Sequence, residues 1–114
     1  MTANEMRELD AWIAEHVMGW KNDVENSGYY FAGNHTKMID AHDWQPTTDP
    51  NNAVQVLKRC AEKAWEDMQL ICIRPMGKDG WGVFMRDYVN QMAIAAIFEL
   101  AICLFAKKLF SKPQ

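Results

Sequence analysis

The chain has 114 residues and a mass of 13.2 kDa, the size of one domain and too small for two ordinary ones. Its hydrophobic fraction of 49% and its charged fraction of 24% are those of a globular protein, which excludes intrinsic disorder and fibrous classes. Twelve basic and fifteen acidic residues give a formal net charge of -3. We therefore expect no duplex nucleic acid as a partner, because neutralising phosphates requires a surplus of Lys and Arg.

The first helix is signalled at both ends. Thr2 and Glu5 have the spacing of a capping box, and Gly19 is a suitable stop because glycine readily adopts the left-handed conformation that closes a helix. Between them lies an apolar stripe at helical spacing, formed by Met6, Leu9, Ile13 and Val17.

A polar segment follows, from residue 20 to residue 46. Two short pieces within it, 29–31 and 37–39, could pair as strands across the turn-prone Gly33-Asn34. A long loop with one weak hairpin is the alternative, and the residues do not decide between the two.

Asp49 and Pro50 predict the start of a second helix, since Asp caps the first turn and Pro fits there without losing a hydrogen bond. The predicted apolar stripe of this helix consists of Ala53, Leu57, Cys60, Ala61, Ala64, Trp65 and Met68.

A hairpin and a third helix complete the predicted elements. The apolar run over residues 70–73 is typical of an inner strand covered on both faces, and the alternating residues 81–86 predict its antiparallel partner across the turn 77–80. A third helix is predicted from about Asn90 to Lys108. The order of elements predicts one α+β domain over residues 1–114, with three helices packed on a small antiparallel sheet.

The third helix contains the most apolar stretch of the chain. Between Met92 and Ala106 the sole polar residue is Glu99, and the stretch is about 15 residues long. A transmembrane helix needs about 20 apolar residues, and a carboxylate at its centre costs a few kcal/mol. We therefore expect a helix buried within the protein, and no membrane partner.

Cysteine use and the N-terminus bear on the compartment. Cys60, Cys72 and Cys103 are odd in number, lie far apart and are surrounded by apolar residues. They are expected to be buried free thiols in a cytoplasmic protein. The first ten residues lack the basic and apolar regions of a signal peptide.

Three pieces of the chain, in this order, resemble one family. They are Val17-Met18-Gly19-Trp20-Lys21 after the first helix, Gln45-Pro46-Thr47-Thr48-Asp49 before the second, and Leu100-Ala101-Ile102-Cys103-Leu104 in the last. The chain is similar in these pieces to the phage ABA-sandwich domain family, small accessory proteins of tailed phages. The resemblance implies an α-β-α sandwich and a phage origin, and it implies no catalytic residue.

No metal or catalytic centre is predicted. His35, Asp40, His42 and Asp43 match no standard zinc spacing and are expected to be solvated loop residues. There is no GxSxG, no HExxH and no glycine-rich phosphate loop, and no cysteine stands next to a histidine. We therefore expect a protein that is not an enzyme and uses no cofactor.

Aromatic and basic residues offer a hypothetical nucleotide site, in which rings stack on a base and cations meet phosphate. The candidate ligand-binding residues are Tyr29, Tyr30, Trp44, Arg74, Lys78, Trp81 and Arg86. The favoured alternative is that all seven are ordinary core and solvated surface residues.

The third helix also predicts an interface. Its carboxylate, Glu99, is costly unless it faces water, pairs with Arg86 or Lys37, or makes a polar contact in an interface. Apolar residues surround the helix on nearly every side, so we expect a homo-oligomer formed through it, unless the segment 20–46 covers it within one chain. The predicted interface residues are Ile94, Phe98, Glu99, Ile102 and Phe105.

The function expected from this class is that of a non-enzymatic phage accessory protein, which binds and sequesters a host component in the host cytoplasm. Counter-defence would be the role, and the target a host defence protein or a small nucleotide signal. The alternatives are a small hydrolase or modifying enzyme with a loop-built site, and a structural accessory of the virion.

Overall fold

The computed structural model describes residues 1–34 and 36–111. The helices are α1 (Ala3–His16), α2 (Val24–Ser27), α3 (Pro50–Glu66) and α4 (Phe98–Ser111). The strands are β1 (Lys21–Asp23), β2 (Tyr29–Ala32), β3 (Lys37–Asp40), β4 (Ile71–Pro75), β5 (Trp81–Met85) and β6 (Ala93–Ala95). They form two antiparallel sheets, ordered β1-β2-β3 and β4-β5-β6. The predicted α+β class is confirmed. One sheet was predicted, whereas the structure has two.

α1 begins as its capping box predicts. The Glu5 backbone N–H donates to Thr2 Oγ1 at 3.2 Å, and the Thr2 N–H donates to Glu5 Oε1 at 3.0 Å. The hydrogen bond from the Thr2 backbone N–H to the Glu5 carboxylate is the main cause that lowers the pKa of Glu5. The helix ends at His16, whereas Gly19 has a left-handed φ of 72° three residues beyond the helix.

The polar segment 20–46 contains the first sheet rather than a long loop. β2 and β3 pair as predicted, with Tyr30 opposite Ile39 and Phe31 opposite Met38. β1 adds to the other edge of β2 and was not predicted. The sheet places β2 at its centre, so Tyr30 is buried there.

α3 starts at the predicted residue, because Asp49 Oδ1 accepts hydrogen bonds from two N–H groups of the first turn at 2.8 and 3.3 Å. Its predicted stripe is too wide. Trp65 is 58% exposed, since it lies to one side of the buried line, and the exposed Met68 follows the end of the helix. The buried line consists of Ala53, Val56, Cys60 and Ala64.

The second sheet contains the predicted hairpin but in a different place within the sheet. β4 and β5 pair from Ile71 opposite Met85 to Pro75 opposite Trp81. β4 is an edge strand, and the prediction that it is covered on both faces is wrong: Leu70, just before it, is 49% exposed. Ile71 and Cys72 are half-buried whereas Leu70 and Ile73 are exposed, so only part of the run packs against the core. Within the sheet, β6 takes the far side of β5, and β4 therefore stays at the edge.

The predicted third helix starts too early. Residues 93–95 form β6, paired with β5, and α4 begins only at Phe98. β6 lies so close to the hairpin that a Cβ atom on Gly80 would overlap the carbonyl oxygen of Ala95. Pairing with a distant strand therefore overrides the local helical pattern.

α4 is enclosed mainly by its own chain, through α1, α3, β5 and β6. Ile102 and Phe105 are buried in this core, Phe98 and Glu99 are half-buried, and Ile94 lies on β6 with 47% exposure. These five predicted interface residues therefore form no common exposed helix face. The elements that mainly cover the helix are α1, α3, β5 and β6, and not the segment 20–46 that the alternative named.

Among the described residues, Glu99 forms no ion pair with either of its predicted partners, Arg86 and Lys37. Arg86 instead lies 3.5 Å from the carboxylate of Asp87, its neighbour in sequence. Glu99 is half-buried in the first turn of α4, where a carboxylate is favoured by the helix dipole.

The three cysteines are free, with Cys60 and Cys103 buried and Cys72 half-buried. Burial raises the pKa of the Cys60 thiol to about 12 and raises that of Cys103 as well. Among the helices of residues 1–34 and 36–111, none has the length and apolarity needed to cross a membrane.

Candidate functional site

A cleft of about 710 Å³ opens beside the first helix, and we call it the α1 cleft. α1, the segment 22–25 and the segment 41–48 form its walls, and β2 contributes Tyr30. Its volume lies in the range of clefts that take small-molecule ligands. The lining residues on which the argument depends are Met6, Arg7, Asp10, Tyr30, Trp44 and Thr47.

Asp10 is the buried charged residue of this cleft, with 7% of its surface exposed. The Thr47 N–H donates to Asp10 Oδ1 at 3.0 Å, and the Thr47 hydroxyl lies 3.2 Å from Oδ2 as a second donor. Each carboxylate oxygen thus accepts one hydrogen bond and keeps further acceptor capacity. No ion pair to Asp10 is present among residues 1–34 and 36–111.

Burial raises the pKa of Asp10 from its ordinary value of 3.8 to about 6, and the two hydrogen bonds from Thr47 oppose this rise. Asp10 is therefore mainly ionised at neutral pH. A carboxylate in this state, buried without a cation, is unfavourable for folding.

Aromatic rings form the inner wall beside Asp10. The Trp44 indole N–H donates to the Asp10 backbone oxygen at 3.1 Å. Trp20 packs edge-on against Trp44, with ring centroids 4.6 Å apart, and also contacts Tyr30 at 6.2 Å. The ring cluster ties α1, the first sheet and the segment 41–48 together, so the position of Asp10 is fixed from three sides.

Local hydrogen bonds hold the segment 41–48 against α3. The Asp40 carboxylate accepts from the His42 N–H at 2.8 Å and starts a short 3₁₀ turn. The Gln45 N–H donates to the Asn52 side chain at 2.9 Å, and the Asp49 N–H donates to the Gln45 carbonyl at 2.7 Å. Thr47 therefore donates to Asp10 from a segment that is itself held in place by hydrogen bonds.

The charged groups of the cleft are few and mixed in sign. Arg7 and Glu25 line it and are exposed, in contrast to the buried Asp10. The formal charges of Arg7, Asp10 and Glu25 sum to a net negative charge. An anionic ligand would therefore find one arginine and two carboxylates.

The predicted ligand-binding residues are divided between two places. Tyr30 and Trp44 line the α1 cleft, whereas Tyr29 lies on the same strand as Tyr30 but outside the lining. The other four, Arg74, Lys78, Trp81 and Arg86, lie on or next to the β4–β5 hairpin. Trp81 there packs edge-on against Phe98, with centroids 5.5 Å apart. The predicted combination of stacked rings and phosphate-binding cations is thus not assembled in the α1 cleft.

Asp10 was missed by the sequence reasoning, although a signal for it exists. It lies four residues after Met6 and three before Ile13, which places a carboxylate on the apolar face of an amphipathic helix. A charged residue at a core-facing position needs either a partner or a function.

The loop residues considered as metal ligands do not come together as a cluster within the part of the chain that the structure describes. There, no group of three or more His, Cys, Asp or Glu side chains could hold a metal ion. His35 lies outside the described residues.

Comparison with known proteins identifies one family. The family model described as the Phage ABA sandwich domain matches residues 11–106. No curated protein and no solved structure matches the chain. The match covers most of the chain, from within α1 to within α4.

Proposed function

Because the chain belongs to the phage ABA sandwich domain family, we propose that it is a non-enzymatic phage accessory protein that binds and sequesters a component of the host cell. The α1 cleft is the proposed binding site, the host cytoplasm the proposed compartment, and counter-defence the proposed role. Family membership supports the phage origin, and the cleft supports the binding activity.

The observation that carries the proposal is the carboxyl group of Asp10, which is buried in the wall of a cleft large enough for a ligand. Burying a carboxylate without a cation is costly for folding, and an apolar residue could replace Asp10 if it served packing alone. Groups whose burial shifts their pKa and that line clefts are enriched at functional sites. Its hydrogen bonds and the rings around it hold this carboxylate in one place, as a recognition group requires.

The charges of the cleft bear on the kind of target. A nucleotide signal needs several cations for its phosphates, and the lining supplies Arg7 together with two carboxylates. This balance favours a host protein segment, or a small molecule without phosphate, over a nucleotide.

A capture experiment tests the proposal. Ala11 lines the cleft and is half-buried, so Ala11→Trp should fill the cleft with a side chain. Ala61→Trp makes the same change at an exposed position of α3 and serves as the control. Tagged proteins are purified from host lysate, and bound proteins and small molecules are identified by mass spectrometry.

We expect one host component to be retained by the wild type and by Ala61→Trp and to be lost from Ala11→Trp, with melting temperatures showing that both variants fold. Retention of the same component by all three proteins, or by none, would contradict binding in the cleft.

Asp10 also gives some support to the alternative of a small enzyme, since a pKa of about 6 suits general acid-base catalysis. Thr47, whose hydroxyl donates to Asp10, is a buried residue with 1% exposure, which does not suit a nucleophile that must meet a substrate. Chemical change of the captured component during incubation with the wild type, abolished in Asp10→Asn, would favour the enzyme.

A further inference from the structure

We propose that the α1 cleft recognises a guanidinium group, which pairs with the carboxylate of Asp10. This inference rests on the proposed function, because it names the chemistry of the ligand that the same cleft would bind.

The hydrogen bonds around Asp10 leave both of its oxygens able to accept from a ligand. Thr47 occupies one acceptor position on Oδ1 and one on Oδ2. A carboxylate offers about four such positions, so one or more remains on each oxygen. A group with two adjacent N–H donors can use both oxygens at once, and guanidinium is the common biological group with this planar fork.

Burial distinguishes guanidinium from ammonium. Asp10 is 7% exposed, so a partner has to lose water to reach it. Guanidinium is more weakly hydrated than ammonium, and its flat faces tolerate apolar neighbours. Met6 and the rings of Tyr30 and Trp44 supply such apolar neighbours in the same cleft.

Charge complementarity points the same way. The cleft is net negative, and its own arginine, Arg7, makes no ion pair with Asp10 within the described residues. A bound cation would supply the counter-charge that the buried carboxylate lacks. Binding would thereby offset a cost that the free protein bears.

Phenylguanidine and its neutral isostere phenylurea test the inference, because they share shape and ring but differ in charge, and phenylurea has a carbonyl oxygen in place of one NH2 group of phenylguanidinium. Isothermal titration of the full chain at neutral pH should show phenylguanidine binding about tenfold or more tightly than phenylurea, as expected for a charge-assisted hydrogen bond. Equal binding of the two compounds, or no binding of phenylguanidine, would overturn the inference.

Asp10→Asn removes the charge and keeps an acceptor for the Thr47 N–H, so this variant should lose the preference for phenylguanidine. Asp79→Asn makes the same change at an exposed residue of the turn between β4 and β5 and should keep it. A preference that persists in Asp10→Asn would overturn the inference. The two-compound comparison on the wild type keeps its force even if Asp10→Asn does not fold.

Two peptides distinguish a free guanidinium compound from an arginine side chain as the source of the group. Acetyl-Gly-Arg-Gly-amide is compared with the same peptide carrying citrulline, the urea isostere of arginine. If the arginine peptide binds at least as tightly as phenylguanidine, the source of the group is a protein segment. If phenylguanidine alone binds, the source is a small molecule. Either result supports recognition of guanidinium.

The two proposals fail separately. If Ala11→Trp loses a captured host component while phenylguanidine does not bind, the cleft binds a different chemistry and only the guanidinium inference is wrong. If phenylguanidine binds through Asp10 while Ala11→Trp captures the same components as the wild type, the guanidinium site exists and the proposed function is wrong.

Discussion

Asp10 stands where the helical pattern of α1 calls for an apolar residue, between Met6 and Ile13 on the buried face. Two donors from Thr47 and the surrounding rings keep its carboxylate in place, yet burial still raises its pKa to about 6. The charge of Asp10 thus affects both the stability of the folded protein and what the cleft can bind. Removing this charge should change the two properties in opposite directions, with stability rising and binding of a cation falling.

Stability should depend on pH through Asp10. Its pKa is about 6 in the folded protein and near 3.8 when unperturbed, so between these values the folded state binds more protons than the unfolded state. The wild type should therefore lose stability as the pH rises from about 4 to about 7, by on the order of 1–3 kcal/mol. Asp10→Asn lacks this titration, and its stability relative to the wild type should increase over the same range.

Urea denaturation of both proteins at the two ends of this range measures the effect. Taking the difference between the variant and the wild type cancels the other titrating groups. A difference that stays constant with pH would contradict the raised pKa.

At the scale of elements, the β4–β5–β6 sheet depends on how closely its strands approach. Gly80 has a φ of 96°, which strains any residue with a side chain, and Ala95 lies directly against it. Gly77 in the same turn has a φ of 59° but no atom within 4 Å of an added Cβ. Both glycines therefore have a positive φ, and of the two only Gly80 has a neighbour that an added Cβ would meet.

Gly80→Ala should destabilise the protein more than Gly77→Ala does. Both substitutions incur backbone strain of about 1–3 kcal/mol, and Gly80→Ala adds a steric overlap of about the same size by displacing β6. Denaturant midpoints give the two free energies of unfolding, and amide hydrogen exchange in residues 93–95 shows whether β6 is the element that loosens. Equal destabilisation by both variants would contradict the close fit of β6.

At the scale of the whole molecule, α4 is the central helix of a core that one chain completes, with α1, α3 and the second sheet around it. The apolar surface that suggested an oligomer is thus largely covered. Self-association stays a prediction, and α4 no longer supplies its physical reason. Exposed apolar residues lie elsewhere, among them Trp65, Met68 and Leu70 near the end of α3.

Ile102→Ala should act on folding and not on assembly. Ile102 is fully buried, so the variant should lose about 2–5 kcal/mol of its free energy of unfolding while the sedimentation coefficient of the folded protein stays unchanged. Val54→Ala, at an exposed position of α3, should change stability by about 0.5 kcal/mol or less. Dissociation of an oligomer by Ile102→Ala at unchanged stability would show that the residue lies in an interface after all.

The sequence alone determined the features that depend on near neighbours. Thr2 with Glu5, Asp49 with Pro50, and the turn between β4 and β5 were predicted correctly, because caps and turns are made by residues within a few positions of each other. The α+β class followed from the order of the predicted elements, and the family resemblance from three short pieces of sequence in a fixed order.

Only the tertiary structure decided what depends on distant pairing. The apolar residues 93–95 suit a helix or a strand equally, and β5 decides for the strand. Tyr30 and Trp44 were among the predicted ligand residues, and Asp10 was not. The sequence shows that Asp10 lies on the apolar face of α1, but its partner Thr47, 37 positions away, is known only from the fold. Periodicity shows which face of a helix turns inward, whereas the residue that meets it there is set by how the elements pack.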